Sequence, residues 1–234
     1  MSLPYFLSPD PASGVLDGAE GRHAVTVKRI APGETIALTN GAGTVATVVV
    51  GEVRGKDYLS GAVVGVDTIP PAHPRVTLVQ AIPKSERAEL AVDLAVQGGA
   101  DEIIPWISAR TIARWPANKQ AKQVEKWQAT AREAAKQSRR AWVPQVAEPV
   151  TTNQLRALIS GRQALALHEE ATVPIRQVSF AEDVVVLVGP EGGIAPEELD
   201  ALGAQPVKLG PEVLRTASAG FAALCAIGAL TVRW

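Results

Sequence analysis

Residues 187–193, Leu-Val-Gly-Pro-Glu-Gly-Gly, put three glycines and one carboxylate at the end of the β-branched run Val184–Val188. Bare backbone at the carboxyl end of a buried strand is where open α/β sheets hold small ligands. Gly189, Gly192 and Gly193 would let main-chain groups approach such a ligand closely; a tight strand-to-helix turn explains them equally well. Glu191 is either a ligand-facing carboxylate or a solvated turn residue. A second such segment, Val207-Lys208-Leu209-Gly210-Pro211-Glu212-Val213-Leu214-Arg215-Thr216, follows about twenty residues later. Ala217-Ser218-Ala219-Gly220 then opens a helix too slender to fill a core alone. It suits close contact with a flat ligand or another backbone, with plain core packing as the alternative. Arg215 at its edge either carries a functional positive charge or is solvated. His168 ends the strand Leu165–His168 and faces the same crevice or is structural.

A second chemistry is electrostatic. The net charge is −1, so no global field attracts nucleic acid. Yet residues 119–140 hold seven basic side chains (Lys119, Lys122, Lys126, Arg132, Lys136, Arg139, Arg140) against Glu125 and Glu133. Helical spacing gathers them on shared faces, either for phosphate contact or as a solvated surface. Lys84, Arg87, Arg110 and Arg114 lie near expected strand ends. Trp106, Trp115, Trp127 and Trp142 accompany them, to stack on bases or to pack.

Other chemistries are excluded. The single cysteine, Cys225, allows no intrachain disulfide or cysteine metal site, and His23, His73 and His168 lack metal-ligand spacing. This usage fits a reducing cytoplasm. Gly41-Ala42-Gly43-Thr44-Val45-Ala46 matches a dinucleotide fingerprint, but a β-branched stretch follows it where a helix is required. Ala217–Gly220 lacks the flanking glycines of a nucleophile elbow. The 17 uncharged residues Thr216–Val232 are too weakly apolar for a membrane span and read as a buried helix.

The positioning elements follow from pattern. Thr35–Leu38, Thr44–Val50 and Leu59–Val66 are strand-like, with Asn40-Gly41 as a hairpin signal. Ile69-Pro70-Pro71-Ala72-His73-Pro74 is a stiff linker, which divides the chain into domains 1–72 and 73–234. Beyond it, strands are expected at Val76–Ile82, Glu102–Ile107 (broken by Pro105), Gln163–His168 and Val184–Val188. Helices are expected after Ser85, capped there with Glu86 in the first turn and stopped by Gly98-Gly99, over Lys119–Arg140, and from Pro196. Alternation of strands and helices predicts an α/β fold with a mostly parallel sheet.

Taken in order, these segments resemble the RsmE family of 16S ribosomal RNA uracil-N3 methyltransferases, within the SPOUT class. Arg22-His23-Ala24-Val25-Thr26-Val27-Lys28-Arg29 matches the family's N-terminal block, and Lys84-Ser85-Glu86-Arg87 its catalytic-domain opening. Gln97–Pro105, Glu133–Arg140 with Val143-Pro144, Gly189–Gly193 and Leu209–Ala219 resemble its later motifs. One departure stands out: Ala217 occupies the place of the family's usual glutamate.

The resemblance implies a PUA-like β-barrel at 1–72 that grips RNA, then a SPOUT domain at 73–234 with a C-terminal trefoil knot. It implies a homodimer that needs no metal and no membrane and works on 16S rRNA of the small ribosomal subunit. S-adenosylmethionine would be lined by Leu167, His168, Gly189, Glu191, Gly192, Gly193, Leu209, Gly210, Leu214, Ala217 and Ala219. Arg215, or a basic residue of the partner subunit, would stabilise the uracil anion. RNA contact falls to Arg22, His23, Lys28, Arg29, Lys84, Arg87, Arg110, Arg132, Arg139 and Arg140. Ala217 leaves no general base at its position. Two alternatives stay open: a SPOUT ribose 2′-O-methyltransferase on rRNA or tRNA, and a non-catalytic rRNA-binding assembly factor.

Overall fold

A computed structural model describes residues 3–84 and 87–234. The chain forms two compact units, Met1–Pro71 with Ala135–Val143, and Ala72–Ala134 with Pro144–Trp234. Residues 135–143 thus count with the N-terminal unit although they lie beyond the linker.

In the N-terminal unit, β1 (Tyr5–Leu7), β2 (Val15–Leu16), β3 (Thr35–Thr39), β4 (Thr44–Arg54) and β5 (Tyr58–Thr68) form one sheet, ordered β1-β3-β4-β5-β2. β1 runs parallel to β3, and the other neighbours are antiparallel. Among the described residues no pairing of β1 with β2 closes the sheet into a barrel. Alternation along the strands buries Ile36, Leu38, Ala46 and Val48 against Phe6 and Leu59. In the β3–β4 turn the Asn40 side-chain oxygen accepts from the amides of Ala42 (2.8 Å) and Thr44 (3.1 Å). That local bonding sends the chain into a strand, so Gly41–Ala46 is a hairpin and not a nucleotide loop. A short helix, α1 (Gly18–Arg22), widens into a π turn at His23–Val27.

The second unit alternates. In order come β6 (Arg75–Ala81), α2 (Ala88–Gln97), β7 (Glu102–Ile107), α3 (Gln120–Gln137), β8 (Gln145–Val146), β9 (Val150–Thr151), α4 (Thr152–Leu158), β10 (Gln163–Leu167), β11 (Asp183–Val188), α5 (Pro196–Leu202), β12 (Gln205–Val207) and α6 (Thr216–Leu230). The sheet order is β12-β10-β11-β6-β7-β8, with β9 also on β7, and every pair is parallel. Pro105 lies inside β7 without breaking it. The outer edge of β7 is unpaired there, between the residues matched by β8 and those matched by β9, a place where a missing N–H is tolerated.

Both faces of this sheet are covered. Val79, Ala81, Ile104, Trp106, Val185 and Leu187 pack with Leu155 of α4 and Leu202 of α5 on one face. On the other, α6 packs against α2, β6 and β11. Its slender first turns allow this: a Cβ built on Gly220 would stand 3.0 Å from both Leu78 methyls. The uncharged stretch from Thr216 is therefore a buried helix, and among the described residues no helix is long and apolar enough to cross a membrane.

Two helix boundaries differ from expectation. The basic helix starts at Gln120, after a 3₁₀ turn at Ala117–Lys119, and stops at Gln137. Arg139 beyond it has a left-handed backbone (φ 55°), which a helix cannot continue through. α2 begins at Ala88 with Arg87 as its N-cap and no side-chain cap bond. The expected cap Ser85, with Glu86, lies outside the described residues.

The C-terminus is pinned by charge. The Arg233 guanidinium donates to Asp101 (2.8 Å) and to the carbonyls of Gly99 (2.5 Å) and Pro74, with its side chain only 5% exposed. Removing one partner of a buried pair strands the other. Arg233→Ala is expected to lower unfolding free energy by about 3 kcal/mol in urea titration; an unchanged midpoint would contradict the pairing's importance.

Candidate functional site

Because the sheet is parallel, every strand's carboxyl end lies at the same edge. β12, β10, β11 and β6 are successive neighbours, so Val207, Leu167, Val188 and Ala81 end at intervals of about 4.8 Å. The turns that follow them carry most of the expected cofactor residues. Backbone bonds tie the first two: His168 N–H to the Val207 carbonyl (3.0 Å), Lys208 N–H to Val173 (3.0 Å) and Ile175 N–H to Lys208 (2.9 Å).

The turn after β11 folds back on itself. A Cβ at Gly189 would stand 2.7 Å from the Ile194 side chain and 3.2 Å from its amide nitrogen, so only glycine fits without movement. Gly193 has a left-handed backbone (φ 72°) and donates to the Pro190 carbonyl at 2.9 Å. Glu191, Gly192 and Gly193 are exposed, with Ile194 buried beneath. After β12, Leu209 is half-buried and residues 210–215 are exposed, including Val213 (73%) and Leu214 (41%).

Arg215 caps α6. Its carbonyl accepts from the amides of Ser218 and Ala219 (2.9 Å each). Its side chain is exposed and has no carboxylate partner among the described residues. Ala217 and Ala219 are buried at 4% and 8% exposure. His168 has a local job: its Nδ1 accepts the Glu170 amide at 3.2 Å. Leu167 is half-buried at the strand end.

The expected RNA residues divide between the units. In the N-terminal unit, Tyr5, Phe6, Lys28, Lys136, Gln137 and Arg139 border a pocket of about 220 Å³ together with Leu3 and Pro4. Lys136 is buried (2% side-chain exposure) and bonds Glu20 at 2.6 Å. Lys28 and Arg139 are exposed and pair with no carboxylate among the described residues. Arg29 is exposed with φ 58°, and Arg22 is exposed at the end of α1. His23 is half-buried, its ring edge-on to Phe6 (5.7 Å) and its Nδ1 3.4 Å from the Lys136 ammonium. Arg140 is half-buried and partnered. In the second unit Lys84 and Arg87 are exposed, Arg132 bonds Glu125 (2.6 Å), and Arg110 donates to the Gly192 carbonyl (2.9 Å).

Trp106, Trp115, Trp127 and Trp142 have packing or bonding partners within the protein. Trp106 and Trp127 are fully buried, Trp115 stands edge-on to Trp127 (5.1 Å), and the Trp142 indole donates to the Ile69 carbonyl. Burial pushes the Cys225 thiol above its usual pKa, so it stays protonated at neutral pH and is a poor nucleophile. Among the described residues no three His, Cys, Asp or Glu side chains gather as a metal site.

Comparison with known proteins agrees with this layout. An RNA methyltransferase domain matches residues 71–228, and an RNA methyltransferase PUA domain matches residues 16–64. Proteins named ribosomal RNA small subunit methyltransferase E in Mycobacterium bovis and Mycobacterium tuberculosis are each 46% identical over 247 residues, spanning 100% of this chain and 94% of theirs. The chain belongs to the ribosomal RNA small subunit methyltransferase E family. A solved member from Neisseria gonorrhoeae, bound to S-adenosyl methionine, superposes with a TM-score of 0.84 at 29% identity, covering 98% of both chains. A Legionella pneumophila chain in complex with SAM gives 0.82 at 28% identity, again over 98% of both. The α/β architecture with a PUA-like N-terminal domain is thus a property of the family.

Sequence reasoning passed over Tyr5 and Lys136 as pocket walls, and over Gln80 and Glu198. Gln80, 1% exposed on the central strand, donates to the carbonyls of Ala81 (3.1 Å) and Thr216 (3.4 Å) and so meets the start of α6. A glutamine in an apolar strand was its only signal. For Glu198 the signal was its place three residues after Ala195, where a side chain reaches back to the helix start. Gly189→Val is expected to destabilise by about 2 kcal/mol through overpacking on Ile194, read as a lower urea midpoint; wild-type stability would refute the crowding.

Proposed function

We propose that this protein methylates N3 of a uridine in 16S rRNA of the small ribosomal subunit, with S-adenosylmethionine as donor. The gathering of the Gly189–Gly193 and Leu209–Arg215 turns at neighbouring strand ends, in a chain of this family, carries the reading. The residues fit the donor chemically. Exposed Gly192 and Gly193 let a ligand approach the main chain closely, Leu209 and Leu214 offer apolar surface for a flat base, and Glu191 offers a carboxylate. Bound there, S-adenosylmethionine would supply an electrophilic sulfonium methyl.

The chain's own part is alignment and charge. N3 lies on the pairing edge of uracil, so the base must be held unpaired or swung out. Holding N3 in line with the methyl removes most of the entropic barrier. Loss of the N3 proton leaves negative charge over N3, O2 and O4. In this reading Arg215, exposed next to the 210–214 run, supplies the cation that stabilises it. Ala217 has no proton-accepting group, so the base that takes the N3 proton lies elsewhere or is water.

Lys28 and Arg139 beside Tyr5 serve, in this reading, as the phosphate-gripping part of the N-terminal unit. A C-terminal knot, a homodimer and a cytoplasmic location belong to the same proposal. The crossing from β11 over β10 to β12, and the return to α6 on β6, supports the knot. Exposed Leu90, Leu230, Val232 and Trp234 support a partner subunit.

The test is methyl transfer onto small subunits from cells lacking the protein, with the RNA digested and the nucleoside identified by mass spectrometry. 3-Methyluridine is expected; a 2′-O-methyl nucleoside would select the ribose chemistry, and no transfer would favour a binding role. Lys28→Ala with Arg139→Ala should flatten the slope of log K against log salt for RNA binding by about 1.5, the loss of two phosphate contacts. An unchanged slope would remove that pocket from the RNA surface. Gly192→Phe should abolish calorimetric binding of S-adenosylmethionine, and retained affinity would displace the donor from this turn.

A further inference from the structure

The turn after β11 is not free-standing. The loop after β7, residues 108–116, is joined to it twice. The first joint is Glu198, in the first turn of α5 and only 7% exposed. Its Oε1 accepts from the Ala109 amide (2.9 Å) and the Thr152 hydroxyl (2.5 Å), and its Oε2 faces the Ala195 amide at 3.4 Å. Thr152 in turn accepts the Trp106 indole N–H at 3.2 Å. One buried carboxylate therefore fixes the start of the 108–116 loop, the start of α4 and the end of the glycine turn together.

The second joint is Arg110, the next residue along. Its Nη1 donates to the Gly192 carbonyl at 2.9 Å. Its aliphatic stem lies over the glycine pair: a Cβ built on Gly192 would stand 3.5 Å from the Arg110 Cβ and 3.8 Å from its Cδ. The peptide between Gly192 and Gly193 thus has both polar groups taken, the carbonyl by Arg110 and the N–H by the Pro190 carbonyl. A Gly-Gly peptide is otherwise the freest to rotate in any chain, and each residue ordered on binding costs about 1–2 kcal/mol.

We propose that Arg110 is a positioning residue of the donor site: it holds the Gly192–Gly193 peptide in one orientation before the donor arrives, and Glu198 holds Arg110 in place through Ala109. This rests on the donor occupying the turn as set out above. It assigns Arg110 to cofactor affinity rather than to RNA phosphate.

The experiment is calorimetric titration of the full-length protein with S-adenosylhomocysteine, for wild type, Arg110→Ala and Arg110→Lys, alongside RNA binding at fixed salt. Arg110→Ala should raise the dissociation constant about five- to tenfold, the worth of one net hydrogen bond. Its thermal melting should stay within a degree or so of wild type, and RNA affinity should hold. In methyl-transfer assays the loss should fall mainly in KM for the donor. Arg110→Lys, which still donates to the carbonyl, should recover at least half of the affinity. Wild-type affinity for S-adenosylhomocysteine in Arg110→Ala, or a loss confined to RNA binding, overturns the proposal. Failure of the wild type itself to bind S-adenosylhomocysteine would instead sink the methyltransferase reading beneath it.

Discussion

Parallel pairing of β12 to β10, and of β10 to β11, is the constraint on which the site depends. The chain leaves β11 and passes across β10 before it pairs again, and only then returns to lay α6 on the central strand. That path brings the loops after Leu167, Val188 and Val207 to one edge. The turn after β11 is nearly bare of large side chains, with Glu191, Gly192 and Gly193 exposed, and residues 210–215 after β12 are exposed as well. A parallel ladder is buried on both faces and rigid, so the main chain of these turns is held by hydrogen bonds that do not involve a ligand. Preorganised backbone is what a donor needs if little binding energy is to be lost in ordering the protein.

The second half of the design is close approach. Gly220 over Leu78 and Gly98 against Leu224 let α6 sit deep on β6 and the end of α2, and Gly228 lies under the Trp234 ring. Gln80 bonds the carbonyl of Thr216, the first residue of that helix. Arg215 is therefore presented from a fixed platform, although its own side chain is free in solvent. An exposed cation on a rigid base suits a group that must meet charge appearing only during reaction. Arg132 and Lys136, by contrast, each bond a carboxylate already, Glu125 and Glu20.

Much of this was legible in the residues themselves. The β-branched runs marked β4, β6 and β11, Asn40-Gly41 marked the hairpin, and glycine spacing marked the turn at 189–193. Order of motifs marked the family. Other features depended on distant contacts that no local pattern carries. Pro105 argued against a continuous β7, yet it falls where neither β8 nor β9 pairs. The helix expected to Arg140 stops at Gln137, because Arg139 just beyond it takes a left-handed backbone. Spacing predicted seven basic residues on one helix; α3 keeps Lys122, Lys126, Arg132 and Lys136, and tertiary structure sets which of them meet a carboxylate. The bonds of Arg110 to Gly192 and of Glu198 to Thr152 were beyond reach, since the partners lie 82 and 46 residues away.

Amide hydrogen exchange with and without S-adenosylmethionine tests the central claim most directly. If the donor sits on the turns after β10, β11 and β12, exchange should slow at 189–195 and 208–217, with the N-terminal sheet unaffected. Protection confined to other segments, with those turns exchanging as fast as before, would contradict it.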